Sequence, residues 1–163
     1  MANSVRAIPE GYHSITPALT CRDAAKAIDF YKKALGAKEI HRMQGPDGKI
    51  GHAEMQIGDS KFMLNDEFPP MASGPDPNSK SASSYLFIYT EDVDAAFNRA
   101  VSAGCKVTMP LQNQFWGDRF GKLADPFGHH WGMAQHVEDV APVEMERRAK
   151  EWQEKMAKSA GHN

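Results

Sequence analysis

Several features that would assign a function from sequence alone are missing from this chain. It has two cysteines, Cys21 and Cys105, which are too few for a disulfide framework or a thiolate metal site. No apolar stretch approaches the roughly 20 residues of a membrane-spanning helix, and the N-terminal segment lacks the apolar run of a signal peptide. These absences predict a cytoplasmic protein with no membrane partner, in which both thiols are reduced and inert.

An excess of one charge sign and the common catalytic signatures are also missing. The 19 basic residues nearly balance the 21 acidic ones, for a net charge of −2, so nothing attracts the chain to phosphate backbones and no nucleic-acid partner is predicted. The sequence contains no G-x-S-x-G elbow, no P-loop and no Rossmann glycine pattern. What remains is ordinary: 163 residues with 41% hydrophobic side chains, typical of one compact domain.

The order of predicted elements repeats once along the chain. Each half has a strand, a helix and three further strands, and the helical stretches DAAKAIDFYKKALG and DVDAAFNRAVSAG both end at a glycine. Each four-stranded sheet would have to bury one face against another layer or around a ligand. The predicted fold class is therefore α+β: two tandem βαβββ units that form a curved, cavity-enclosing mixed sheet, plus a C-terminal helix.

The repeat also predicts the boundaries. Residues 1–140 form a single domain with units at about 12–67 and 84–138, joined by a Pro-, Ser- and Gly-rich linker at 68–83. Residues 141–163 form a helical tail with a loose apolar stripe. Because exposed apolar side chains of this kind are usually buried against a partner, a homodimer is predicted. The stripe consists of Val143, Met145, Ala149, Trp152 and Met156.

Several segments resemble the vicinal oxygen chelate superfamily, which includes glyoxalases, bleomycin-resistance proteins and extradiol dioxygenases. The similarity runs from about Ile15 to Val137, and its most distinctive pieces are the helix end at 30–36 and the Asp-Pro-Phe-Gly turn at 125–128. The segment FWGDRFGK, residues 115–122, is similar to the PhnB-like branch. The resemblance implies a small organic ligand held by the sheets, with a divalent metal on His and Glu side chains in the enzymes.

The positions that hold this metal in the enzymes carry other residues here. By the family's motifs, Thr16 stands at the first-strand His, Tyr85 at the second ligand and Gly132 at the last-strand Glu. The remaining position falls near Leu64 or Asn65, and an Asn is a weak donor. Since a divalent transition metal generally needs three good protein ligands, we predict no metal and no cofactor, and leave open whether the chain is an enzyme.

The resulting prediction is a protein that binds a small aromatic or hydrophobic molecule in a sheet-lined cavity, without a classical metal site. Aromatic rings would stack on a flat ligand, and the Arg119 guanidinium would pair with a carboxylate or phosphonate. Equally open is that the rings fill the core or a dimer contact and that Arg119 pairs on the surface. The candidate ligand-binding residues are Thr16, Asn65, Tyr85, Trp116, Arg119 and Trp131.

Two other functions stay open. A metal-dependent lyase, isomerase or dioxygenase of the same superfamily would need non-standard ligands such as His13, His52 and Glu54. His52 and Glu54 share one face of a predicted strand, which suits a metal or acid/base pair and equally a solvent-facing polar row. Adjacent His129 and His130 would point to opposite faces and are interpreted as structural. The last alternative is a dimerising module with no ligand of its own.

Overall fold

The computed structural model describes residues 5–160. The described chain folds into eight strands and three helices, in the order strand, helix, three strands, then the same again, then a helix. The βαβββ order predicted for both halves and the helix in the tail are confirmed. The elements are β1 Ala18–Cys21, α1 Ala24–Leu35, β2 Lys38–Gln44, β3 Ile50–Ile57, β4 Ser60–Asp66, β5 Leu86–Tyr89, α2 Val93–Ala103, β6 Lys106–Asn113, β7 Asp118–Ala124, β8 His130–His136 and α3 Pro142–Ala160.

Each unit builds its own four-stranded mixed sheet. The strand orders are β1-β4-β3-β2 in sheet 1 and β5-β8-β7-β6 in sheet 2. The first strand of each unit pairs in parallel with the last, and the other pairs are antiparallel. Helices α1 and α2 each cover one face of their own sheet and pack against each other. The predicted α+β class is confirmed, as two sheets rather than one.

Local sequence signals set the ends of both internal helices. The Asp23 carboxylate accepts a hydrogen bond from the Lys26 amide at 3.1 Å, and Asp92 does the same for Ala95 at 3.0 Å. Such N-caps satisfy amides that have no partner inside the helix. Helix α1 ends at Gly36, whose φ of 64° is left-handed and favours glycine.

Prolines lie at two places in or next to the edge strands. Strand β1 begins at Ala18, directly after Pro17, whose carbonyl accepts a hydrogen bond from the Met63 amide at 2.8 Å. Strand β6 continues through Pro110, with register shifts between Val107 and Met109 and between Met109 and Gln112. A proline is tolerated there because β6 is an edge strand.

A buried carboxylate joins the two units inside the core. Asp125 accepts hydrogen bonds from the Tyr31 hydroxyl at 2.7 Å and from the Trp131 indole at 2.9 Å. It also accepts from the Phe127 and His129 amides, both at 2.9 Å. Tyr31 on α1 is fully buried and packs in the core. The Asp-Pro-Phe-Gly turn therefore fixes α1 of the first unit to β8 of the second.

Helix α3 lies apart from this core. Its Arg148 pairs with Glu138 at 2.8 Å and with Glu144 at 2.7 Å, and its Trp152 ring lies 5.7 Å from Phe115. No α3 residue is buried, and Met156 is 51% exposed. Among residues 5–160, no helix is both long and apolar enough to cross a bilayer.

Candidate functional site

Strand alternation gives sheet 2 one face against α2 and one open face. A Cβ on Gly121 of β7 would meet the Phe97 ring of α2 at 2.7 Å, so this position faces the helix. Its neighbours Phe120 and Lys122 therefore project to the other side. By the same period, Gly132 of β8 and its register partner Phe87 of β5 lie on the open face.

Five aromatic side chains cover this open face. Phe87 stacks on Phe120 with ring centroids 5.1 Å apart and planes 10° apart. Phe120 is buried beneath it, whereas the β5 rings are 42% to 64% exposed. The result is a broad, partly exposed aromatic surface suited to stacking with a flat molecule. We call Tyr85, Phe87, Tyr89, Trp116 and Phe120 the aromatic platform.

The platform is close to the backbone of β8 because Gly132 has no side chain. A Cβ at this position would lie 2.9 Å from Phe120 Cε2 and 2.9 Å from Tyr85 Cε2. Both rings thus occupy space that a larger residue would fill. In the enzymes that the sequence resembles, a metal-binding carboxylate stands here; in this chain, aromatic ring edges take its place.

A buried carboxylate holds one end of the platform. Asp118 accepts hydrogen bonds from the Tyr89 hydroxyl at 2.9 Å and the Trp116 indole at 3.1 Å, and the bond to Asp118 raises the pKa of Tyr89. His136 contacts Asp118 through Nδ1 and Asp139 through Nε2, both at 2.8 Å. Since ionised carboxylates only accept, both contacts are hydrogen bonds when the imidazole is protonated on both nitrogens, and the Asp139 and Asp118 contacts raise the pKa of His136.

An open cavity of about 730 Å³ adjoins the platform. It lies between β5, the segment before β1, the β3–β4 turn, the C-terminal end of α1 and the middle of α2. Phe87 and Tyr89 belong to both the platform and the cavity wall. Its volume falls within the roughly 300–1,000 Å³ usual for small-molecule sites.

A second, more polar cavity of about 510 Å³ adjoins the larger one at Leu86, which lines both. Its walls come mostly from the serine-rich part of the linker and from the turn that leads into β8, including His129 and His130. Tyr85 lines this second cavity, and the Lys122 ammonium lies 4.2 Å from the centre of the Tyr85 ring, which is a cation–π contact.

The structure distributes the sequence-predicted residues over these surfaces. Thr16 and Trp131 line the larger cavity and Tyr85 the smaller one. Trp116 belongs to the platform. Asn65 points to the open face of sheet 1 and donates to the Asp66 carbonyl at 2.8 Å. Trp131 is 1% exposed, so it contributes mainly to the core behind the cavity wall.

Arg119 is engaged elsewhere. It lies on the α2 side of sheet 2, two residues before Gly121, and its Nε and Nη2 bind the two oxygens of Asp94 at 2.8 and 2.7 Å. A bidentate pairing of this kind was predicted with a carboxylate of the ligand, but here Arg119 forms it with Asp94 of the same chain. Its predicted ligand contact stays a prediction, and it would require this pair to open.

The histidines form no larger cluster. His52 Nε2 lies 3.3 Å from Glu54 Oε1, and Tyr12 and His52 lower the pKa of Glu54. Within the described part of the chain, no three His, Cys, Asp or Glu side chains come together as a metal site, so His13, His52 and Glu54 do not assemble into one. His129 Nε2 lies 2.9 Å from the Thr20 carbonyl, in agreement with a structural role.

The cysteines are structural as well. Cys21 and Cys105 are both buried and unpaired with each other. Burial raises the pKa of each thiol to about 12, so neither forms a thiolate near neutral pH. Both observations agree with the interpretation of these cysteines as inert thiols.

Sequence reasoning missed Phe87, Tyr89 and Lys61. The signal for the first two was present, because Tyr85, Phe87 and Tyr89 alternate at a spacing of two and must share a face. Lys61 of β4 gave no signal, since its place beside the larger cavity depends on the packing between the units.

The chain is similar to a known protein family, to bacterial proteins and to several solved structures. The family model described as Glyoxalase/Bleomycin resistance protein/Dioxygenase superfamily matches residues 12–133. The protein Rv0887c of Mycobacterium tuberculosis is 46% identical over 130 residues, 78% of this chain and 76% of that protein. TnmS3, an antibiotic-binding protein from Streptomyces sp. CB03234, is 27% identical with a TM-score of 0.55 over 77% of this chain and 98% of its own. A PhnB protein from Bacillus cereus shares the fold, at 20% identity and a TM-score of 0.60 over 76% of this chain and 99% of its own.

Proposed function

Because the chain belongs to the glyoxalase/bleomycin resistance protein/dioxygenase superfamily, we propose that it binds a small aromatic or hydrophobic molecule between its two units. The observation that carries this proposal is the aromatic platform next to the 730 Å³ cavity. Exposed aromatic rings over a buried one offer a stacking surface that a folded core does not need. The similarity to TnmS3, an antibiotic-binding protein, supports a role in binding a small molecule.

The proposed contacts follow from the placement of each residue. Tyr85 and Trp116 contact the ligand with their rings, and Thr16 and Asn65 offer polar groups on the first unit. Trp131 supports the cavity wall from behind. Arg119 contributes only if it leaves Asp94.

Binding is proposed to proceed without a transition metal. The residue chemistry supports this, because Thr16 and Tyr85 are poor ligands and the space at Gly132 is taken by two rings. His52 and Glu54 supply two donors, which leave a divalent ion under-coordinated. We propose that the protein acts in the cytoplasm, where buried thiols such as Cys21 stay reduced.

A homodimer is part of the proposal. Tyr85, Phe87 and Tyr89 are 43%, 42% and 64% exposed, and the α3 residues Trp152 and Met156 are 46% and 51% exposed. Apolar surface of this extent on a single chain is usually covered by a partner. A second copy would cover it and close the ligand site.

The proposal is tested with a neutral fluorescent probe, N-phenyl-1-naphthylamine, and with mass spectrometry of small molecules that the purified protein retains. We expect saturable probe binding. Trp116→Ala and Tyr85→Ala should each weaken it by about 1–3 kcal/mol, or roughly 5- to 150-fold. The control is Met71→Ala, which removes a hydrophobic side chain that is 86% exposed in the linker. Equal binding by all variants, or none by the parent protein, contradicts the proposal.

A further inference from the structure

The larger cavity carries more positive than negative charge. Two fixed cations line it, Lys61 from β4 of the first unit and Arg99 from α2 of the second, along with His13. One carboxylate does so, Asp59 in the β3–β4 turn, which accepts a hydrogen bond from the Ser60 hydroxyl at 2.9 Å. The rest of the wall is mostly aliphatic and aromatic. Arg99 is exposed and Lys61 is half-buried, so both cations are accessible from the cavity.

Lys61 is half-buried with weak partners. Its ammonium lies 3.4 Å from the Glu10 carbonyl and 4.5 Å from the centre of the Tyr12 ring. Within residues 5–160 no carboxylate lies within 4 Å of it. A partly desolvated ammonium that contacts only a carbonyl and a ring gains strongly from an anion.

Arg99 differs from most other arginines of the chain. Its Nε donates to the Ala34 carbonyl at 3.3 Å, a contact that helps to cap the C-terminal end of α1. Its remaining donors have no carboxylate partner in the described structure. Five of the seven arginines do have one: Arg22, Arg42, Arg119, Arg147 and Arg148. The guanidinium fork of Arg99 is therefore open for a bidentate anion.

From this distribution we infer that the ligand is an organic anion. Its carboxylate, sulfonate or phosphonate is held by Lys61 and Arg99. Its apolar or aromatic body lies against the apolar part of the same cavity wall, which includes Phe87 and Tyr89. The inference rests on the proposed function and adds the charge of the ligand. It moves the role predicted for Arg119 to two cations that lie in the cavity wall. Because one cation comes from each unit, anion binding also joins the two units.

The test compares two probes with the same aromatic body, anionic 8-anilino-1-naphthalenesulfonate and neutral N-phenyl-1-naphthylamine. We expect the anion to bind about tenfold more tightly at low salt, as one charge-assisted contact allows. Half-molar salt should reduce that preference. Lys61→Met and Arg99→Met should each weaken binding of the anion about three- to tenfold, and should weaken binding of the neutral probe by a clearly smaller factor.

Matched variants separate charge from structure. Arg42→Met removes a cation that is already paired with Glu39 on β2, outside both cavities, and should leave the preference intact. Lys61→Arg and Arg99→Lys keep the positive charge and should retain most of the preference for the anion. This should hold even if Arg99→Lys loses the bond to Ala34 and lowers the melting temperature. If both probes bind but the preference is absent, or survives Lys61→Met and Arg99→Met, the anion site is refuted while the proposed function stands. If neither probe binds, both are refuted.

Discussion

Gly132 offers the sharpest test of the aromatic platform. Its φ is not in the left-handed region, so an alanine is acceptable to the backbone, and the whole effect comes from one added methyl group. That methyl would lie 2.9 Å from both Phe120 Cε2 and Tyr85 Cε2. Ordinary carbon–carbon contacts are about 3.5–4.0 Å, so at least one ring has to move.

The two rings differ in their freedom to move. Phe120 is 4% exposed and is stacked on Phe87, whereas Tyr85 is 43% exposed, so Tyr85 should give way first. Overpacking usually costs about 1–3 kcal/mol, and replacing a strand glycine returns about 0.5–1 kcal/mol of backbone entropy. We expect Gly132→Ala to destabilise the protein by about 1–2 kcal/mol, or roughly 2–8 °C in melting temperature.

Gly51→Ala on β3 is the matched control. A Cβ there meets only the Met43 carbonyl at 3.9 Å, an ordinary contact, so this variant should be neutral or slightly stabilising. The assays are thermal denaturation and titration with N-phenyl-1-naphthylamine. Gly132→Ala should also bind the probe more weakly, because the Tyr85 ring is displaced. If both variants are equally stable and bind alike, the rings do not rest on β8 and the reasoning about the platform is wrong.

Three further predictions follow from the rest of the molecule. Truncation after Val140 should weaken self-association in sedimentation velocity, because it removes the exposed α3 stripe; a monomer at high micromolar concentration would contradict the dimer itself. Dialysed protein should hold no stoichiometric zinc, nickel, manganese or iron by elemental analysis. The pKa of His136 is higher in the folded state than its value of about 6.5 in the unfolded state, because of the bonds to Asp139 and Asp118. These bonds therefore stabilise the fold fully at pH values below the unfolded-state pKa, and the stabilisation is lost as pH rises through the folded-state pKa. The melting-temperature advantage over His136→Gln should therefore shrink as pH is raised from 6 to 9, and a constant difference would refute it.

Much of the fold could be predicted because local signals and long-range packing agree. Asp23 and Asp92 cap the helices where the apolar spacing begins, and Gly36 ends α1 where it stops. The repeat of these signals predicted two units of the same order. Strand ends were less predictable, since β1 begins directly after Pro17 whereas β6 runs through Pro110, although both are edge strands where a proline is tolerated.

The site was harder to predict because it depends on which way each side chain points. Trp116 and Arg119 are three residues apart in one motif, yet Trp116 lies on the open face and Arg119 on the helix face, with a turn and a strand start between them. The motif therefore indicated the correct region of the sheet, but not which face of the sheet each side chain lies on. What decided the face of β7 was Gly121, which has to contact α2 through Phe97. The spacing of residues within one element does not predict which other element it contacts. For the same reason, Lys61 and Arg99 could not be predicted to line one cavity, because they come together only when the two units pack.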